Sequence, residues 1–156
     1  LNMSSQRTNN TTYFLDLALR CARQGTCLRR NYGAVLANTD GHIIATGYTG
    51  APRGMGHCMS CWRKDNQIPS GSNYEKCMSV HAEMNACLQA GARAEFSAMY
   101  LAGYDVETGL ELNPRPCFLC CKVLVNSKVR SIVTRESADF PEKLLLEHKL
   151  ELMRAI

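Results

Sequence analysis

His81-Ala82-Glu83, followed well downstream by Pro116-Cys117-Phe118-Leu119-Cys120, is the stretch from which the rest of the chain can be read. One imidazole and two cysteines at C-x-x-C spacing give a zinc ion three protein ligands. The fourth position stays open, as in catalytic rather than closed structural zinc sites. Glu83 lies two residues past the histidine, beside that open position. Zinc brings the pKa of a bound water down to roughly 7, and a carboxylate there can take up the proton and pass it to a departing amine. The pattern therefore suits hydrolytic removal of an amine. A structural alternative makes the cysteines core residues and His81 a satisfied helix histidine. A lone C-x-x-C would favour that alternative; H-x-E and P-C-x-x-C together do not.

Composition sets the frame. A chain of 156 residues fits one domain with a real core. With 46% apolar and 21% charged residues it reads as an ordinary soluble protein. The net charge is only +4 and the 18 Lys and Arg are spread along the chain, which does not indicate a nucleic-acid track. No stretch is apolar for long enough to span a membrane. Residues 1–12 are polar and lack a secretory apolar region, so they read as a disordered tail or an expression remnant ahead of a single domain, 13–156. Nine cysteines, metal-ligand spacings and no secretion signal argue for reduced thiols in the cytoplasm.

Tyr13, Phe14, Leu17, Ala18 and Cys21 recur at helical spacing, and Gly25 ends that helix. Residues 33–38 and 42–48 are β-rich runs around Thr39-Asp40-Gly41, a hairpin signal. A Gly-, Pro- and Ser-rich loop runs from 49 to about 76. The pattern then predicts a helix over 80–90 carrying His81 and Glu83 near its start, a strand over 98–102, a helix over 116–126 with Pro116 in its first turn, and a strand over 130–135. A terminal amphipathic helix over 141–156 would bury Leu144, Leu145, Leu152 and Ile156. This order suits an α/β three-layer sandwich with helices on both faces of one mixed sheet of about five strands.

The motifs resemble the zinc-dependent cytidine/deoxycytidylate deaminase superfamily, whose signature is H-x-E…P-C-x-x-C. The wider match is to deoxycytidylate (dCMP) deaminases. Gly33-Ala34-Val35, the stretch Gly47-Tyr48-Thr49-Gly50-Ala51-Pro52-Arg53-Gly54, Ile68-Pro69-Ser70-Gly71, His81 to Ala86 and the cysteine helix occur in that family's order, from about Tyr13 to Glu136. The resemblance implies deamination of dCMP to dUMP with release of ammonia. It implies Glu83 as the proton carrier, His81, Cys117 and Cys120 as ligands of the catalytic zinc, and the Ala82 N–H as donor to the pyrimidine O2. Cys120 matches the family spacing, and Cys121 is read as a core residue. Without the motif, Glu83 would be an acidic residue complementing a helix dipole. The resemblance also implies a nucleotide partner, self-association into a homo-oligomer, and in some members regulation by dCTP and dTTP. Alternatives are a deaminase of another nucleoside, nucleotide or base, a tRNA or other nucleic-acid base deaminase, and a non-catalytic zinc-stabilised binding protein.

A second cysteine set is present. Cys58-Met59-Ser60-Cys61 is another C-x-x-C, and with Cys77 and Cys27 it makes a Cys₄ set, with His57 as an alternative ligand. Several family members bind an additional structural zinc at matching places. Such a metal would order the long loop; otherwise these are unpaired thiols. Thr49 stands where the family's loop has an asparagine, and a hydroxyl lacks the two-ended pattern of an amide. Arg53 is a phosphate-binding candidate or a surface arginine. Asn85, four residues after His81, either orients the site or is an ordinary helix-surface residue. Residues 103–114 form a longer connection than many family members have, read as a small hairpin near the site mouth or as a neutral insertion.

Overall fold

The computed structural model describes residues 7–155. Helix α1 (Asn10–Ala22) starts on an N-cap, Asn9, whose side-chain oxygen accepts from Thr12 N. Residues 10–12, assigned above to the tail, are therefore helical, while residues 1–6 and Ile156 lie outside the described residues. Strands β1 (Arg30–Ala37) and β2 (Ile43–Tyr48) form the anticipated antiparallel hairpin. Its turn closes through Asn38, whose side-chain oxygen accepts from Asp40 N and His42 N, with Gly41 at φ +81. Helix α3 (Ala82–Ala90), strand β3 (Ala98–Asp105), helix α4 (Phe118–Asn126), strand β5 (Ser131–Val133) and helix α5 (Pro141–Arg154) follow in the predicted order.

The sheet has six strands rather than about five. The additional ones are two-residue strands, β4 (Glu111–Leu112) and β6 (Ala138–Asp139), too short to show any periodicity in sequence. The order is β2-β1-β3-β5-β6. The β3–β5 pair is parallel, and β4 pairs antiparallel with the far end of β3. The 103–114 connection is thus a hairpin, with Gly103 opposite Leu112 and Tyr104 opposite Glu111. The long loop is not featureless either: it holds a one-turn helix, α2 (Trp62–Asp65), and a 3₁₀ turn at Tyr74–Lys76.

Alternation along the central strands builds two cores. Ala34, Leu36, Met99 and Leu101 face α3, α4 and α5, whereas Val35, Ala37, Ala102 and Tyr100 face α1. Leu36, Met99, Leu101, Leu124 and Ile132 are fully buried, each stabilising by about 1.5–3 kcal/mol. Pro116 does not open α4: Cys117 is the N-cap and the proline precedes it. Pro141 does occupy the first turn of α5. The anticipated α5 stripe holds only at its start. Leu144 is buried and Leu145 half-buried, but Leu152 is exposed. No helix among the described residues is long and apolar enough to cross a membrane.

Close helix–sheet contact is made through glycine. A Cβ on Gly47 would overlap the Ala82 carbonyl oxygen and sit 2.5 Å from Ala86 N, both on α3. Gly47→Ala is expected to destabilise by about 1–3 kcal/mol, lowering Tm by roughly 2–12 °C. Gly56→Ala, in open space without a positive φ, should leave the thermal melt unchanged.

Candidate active site

Helices α3 and α4 pack side by side and start at the same place. His81 is the N-cap of α3 (φ −72, ψ 150) and Cys117 the N-cap of α4, its sulfur accepting from Cys120 N at 3.5 Å. Both sequence motifs thus become helix starts, and C-x-x-C places Cys120 one turn along, back over its own cap. His81 Nδ1 lies 3.2 Å from Cys120 Sγ and 3.5 Å from Cys117 Sγ. Among the described residues, this is the one group of three or more His, Cys, Asp or Glu ligand atoms drawn within 4.8 Å of one another.

The donor set fits zinc. Bonds of 2.0–2.3 Å at tetrahedral angles place ligand atoms roughly 3.5–3.8 Å apart, close to the spacing found. One nitrogen and two sulfurs suit a borderline-soft ion. Cys117 is prepared as a thiolate. A hydrogen bond from the Cys120 thiol, helped by His81 and opposed by burial, brings its pKa down to about 4. The pKa of Cys120 is pushed well up by its hydrogen bond to Cys117 and by burial. Cys121 is buried, points its sulfur at Pro116 O and is pushed up to about 12 by burial, so it is an inert core thiol as anticipated.

Glu83 is 6% exposed yet lines the cavity beside His81 and Cys117, a space of about 270 Å³. Burial pushes its carboxyl up against the opposing charge of His81. Ala82 is fully buried in the first turn of α3, where backbone N–H groups have no partner within the helix. Thr49 lines the cavity, but its hydroxyl accepts from Tyr32 N at 3.1 Å and reaches Tyr32 O at 3.4 Å. It therefore serves mainly to tie the end of β2 to β1. Asn85 donates to Tyr48 O at 2.8 Å, holding α3 to β2 outside the cavity lining. Arg53 is exposed and also outside that lining.

Four other arginines line the cavity: Arg29, Arg30, Arg63 and Arg115. Arg29 donates to Ile68 O, Arg30 to Ser70 Oγ and Arg63 to Pro69 O, so three guanidinium groups hold three consecutive residues of the long loop. Arg30 Nε is buried and has no hydrogen-bond partner; Asp105 approaches it only to 3.9 Å. Arg115 pairs with Glu151 at 3.0 Å and Glu147 at 3.4 Å, and His148 donates to Pro116 O at 2.8 Å. Helix α5 thereby clasps the segment that leads into Cys117. Only Arg115, two residues before a ligand cysteine, carried a sequence signal that could have marked it.

The second cysteine set is only loosely gathered. Cys58 is pushed up by burial and by the nearby Cys77, Cys27 and Cys61, so the four share one neighbourhood. Among the described residues, however, no three of them meet at ligand distance, and His57 is exposed. Cys27 and Cys77 line the same cavity as His81.

Residues 8–136 match the family profile described as the cytidine and deoxycytidylate deaminase zinc-binding region. The chain belongs to this deaminase family. A deoxycytidylate deaminase of Mycobacterium phage D29 is 31% identical over 126 residues, 78% of this chain and 90% of that protein. The deoxycytidylate deaminase of Schizosaccharomyces pombe is 37% identical over 93 residues, 58% of this chain but 29% of the yeast protein. The chain thus spans under a third of that relative's length. Among solved structures, the dCMP deaminase of cyanophage S-TIM5 in complex with dCMP and dUMP shares the fold at TM-score 0.61 and 19% identity, covering 92% of this chain and 94% of that one. Zinc is the metal this family binds, and the His81, Cys117 and Cys120 group is its candidate site.

Metal analysis after exhaustive dialysis should show one equivalent of zinc lost in His81→Ala, Cys117→Ala and Cys120→Ala. Cys121→Ala should retain it and lower stability by about 0.5–1.5 kcal/mol, as for other single-group core deletions.

Proposed function

We propose that the chain is a zinc-dependent deaminase that converts dCMP and water to dUMP and ammonia. The observation that carries this reading is one cavity lined by His81 and Cys117 of the candidate metal group and by the buried Glu83, together with Arg30, whose buried Nε has no hydrogen-bond partner among the described residues. A cytosine base and an anionic tail can then be held at once. When bound, zinc on His81, Cys117 and Cys120 supplies an acidified water, pKa roughly 7, at the position to be attacked. Glu83 moves the protons. Its carboxylate takes one from the water and gives it to N3 as the oxygen adds to C4. It then carries the remaining hydroxyl proton to the 4-amino group, which leaves as ammonia while the C4 carbonyl forms. The first-turn N–H of Ala82 donates to O2. Glu83 is only 6% exposed, and low exposure to water strengthens these interactions.

For the phosphate, Arg30 replaces Arg53 as the residue of choice, because its buried Nε has no partner among the described residues and it lines the cavity, whereas Arg115 is already paired with Glu147 and Glu151. A guanidinium suits a phosphate through paired donors. Arg63 is already committed to two loop carbonyls.

The proposal includes a second, structural zinc on Cys27, Cys58, Cys61 and Cys77. It is supported by the shared neighbourhood of four free thiols, Cys27 ahead of β1 and the other three between β2 and α3. Self-association is supported by Leu146, Leu150, Leu152 and Met153, which α5 leaves exposed. Nine free thiols fit a reducing compartment such as the cytoplasm. Regulation by dCTP and dTTP belongs to the same reading and is tested by adding each nucleotide to the assay.

Ammonia release from zinc-loaded protein, with dCMP, CMP, deoxycytidine and a tRNA side by side, tests the substrate. Turnover of dCMP is the expected result, and silence on it with activity elsewhere overturns the substrate assignment. Glu83→Gln should keep its zinc and lose at least about 10²–10⁴-fold in kcat. Arg30→Met should raise KM for dCMP and leave any activity on deoxycytidine unchanged.

A further inference from the structure

A metal-bound histidine is usually fixed by a hydrogen bond from its second ring nitrogen to a carboxylate, carbonyl or water. Among the described residues His81 has no such protein partner: its hydrogen bonds there run from Nδ1 to Cys117 and Cys120. Tyr74 stands against it instead, with ring centroids 4.6 Å apart and planes at 89°. Such edge-to-face pairs have a preferred geometry and hold a ring's orientation as well as its position.

Tyr74 is itself held. It opens the 3₁₀ turn behind Asn73, which adopts a left-handed conformation (φ 54), and its hydroxyl accepts from Gly71 N at 3.1 Å. The guanidinium of Arg63 lies 4.3 Å from the Tyr74 ring centroid. Arg63 is 8% exposed, unusual for a charge in a long loop. Its Nε donates to Ser72 O and its Nη2 to Pro69 O, both at 3.0 Å, so the same side chain that covers Tyr74 fixes the backbone leading up to it. A second cation–π contact, Lys76 over Trp62 at 4.9 Å, joins the same two parts of the loop. A guanidinium is suited to this task, because its planar fork can stack on a ring while donating to carbonyls at its edge.

We infer that Arg63 and Tyr74 are positioning residues that orient the His81 ring for metal binding through an Arg63–Tyr74–His81 column. This rests on His81 being a metal ligand, the reading given above. The long loop, on this account, braces the metal site directly as well as covering the cavity. The contact to His81 is made by the tyrosine ring, not by its hydroxyl, and this sets the test.

Cobalt-substituted protein reports ligand geometry through its visible absorption bands, and zinc release to a chelator reports how firmly the ligands are held. His81→Ala serves as the control: retention of the metal by that variant would sink the ligand reading itself, separately from the column. Tyr74→Phe keeps the ring and should retain the wild-type cobalt spectrum and a release rate within about twofold. Tyr74→Leu should shift the cobalt bands and speed zinc release by about tenfold or more, the size usual for groups that orient a ligand. Arg63→Lys keeps a cation but loses the planar fork, so it should change both readouts in the same direction by less. It also decides the matter if Tyr74→Leu does not fold. Unchanged spectra and release rates in Arg63→Lys, together with either an unchanged or an unfolded Tyr74→Leu, would overturn the column. So would a Tyr74→Phe protein as impaired as Tyr74→Leu, since the hydroxyl's loop contact would then be the cause.

Discussion

Everything at the cavity depends on two helix starts lying side by side. Because His81 caps α3 and Cys117 caps α4, a nitrogen and two sulfurs from segments 36 residues apart meet at about 3.2–3.5 Å. The helix termini also shape the chemistry. First-turn N–H groups have no partner within the helix, and the positive end of each helix favours a thiolate over a thiol. The closeness of α3 to the sheet is in turn a steric matter, set at Gly47, where no side chain fits between strand and helix.

The charges around this point are arranged in opposition. Glu83 is buried, which by itself favours its neutral form, and it is offset by His81. The hydrogen bond between Cys117 and Cys120 lowers the pKa of the first and raises that of the second. Arginines from the start of β1, from α2 and from the segment before α4 form a wall of the same cavity. This wall and the His81–Cys117 corner share a space of about 270 Å³.

The long loop shows how such a wall is kept in place without a hydrophobic core of its own. Its order comes from cations: Arg29, Arg30 and Arg63 take successive residues 68–70, while two cation–π contacts join its helical turn to the 3₁₀ turn before His81. At the other end of the chain, α5 reaches back to the same region through Arg115 and His148.

The amino-acid sequence alone determined the candidate metal group and the order of the main elements. These depend on spacing: H-x-E and C-x-x-C on helix starts, and Asp-Gly at the hairpin turn. The family resemblance was legible for the same reason. Only the tertiary structure decided which arginines face the cavity, that Arg53 does not, and that the Thr49 hydroxyl is already engaged by Tyr32. It also decided that β4 and β6 pair and that α5 leaves its last turns uncovered. These features come from partners 17 to 40 residues apart or from strands two residues long, and neither leaves a period in the sequence. Local pattern fixes what a residue can be; which neighbour it meets is settled by the packing of helices onto the sheet.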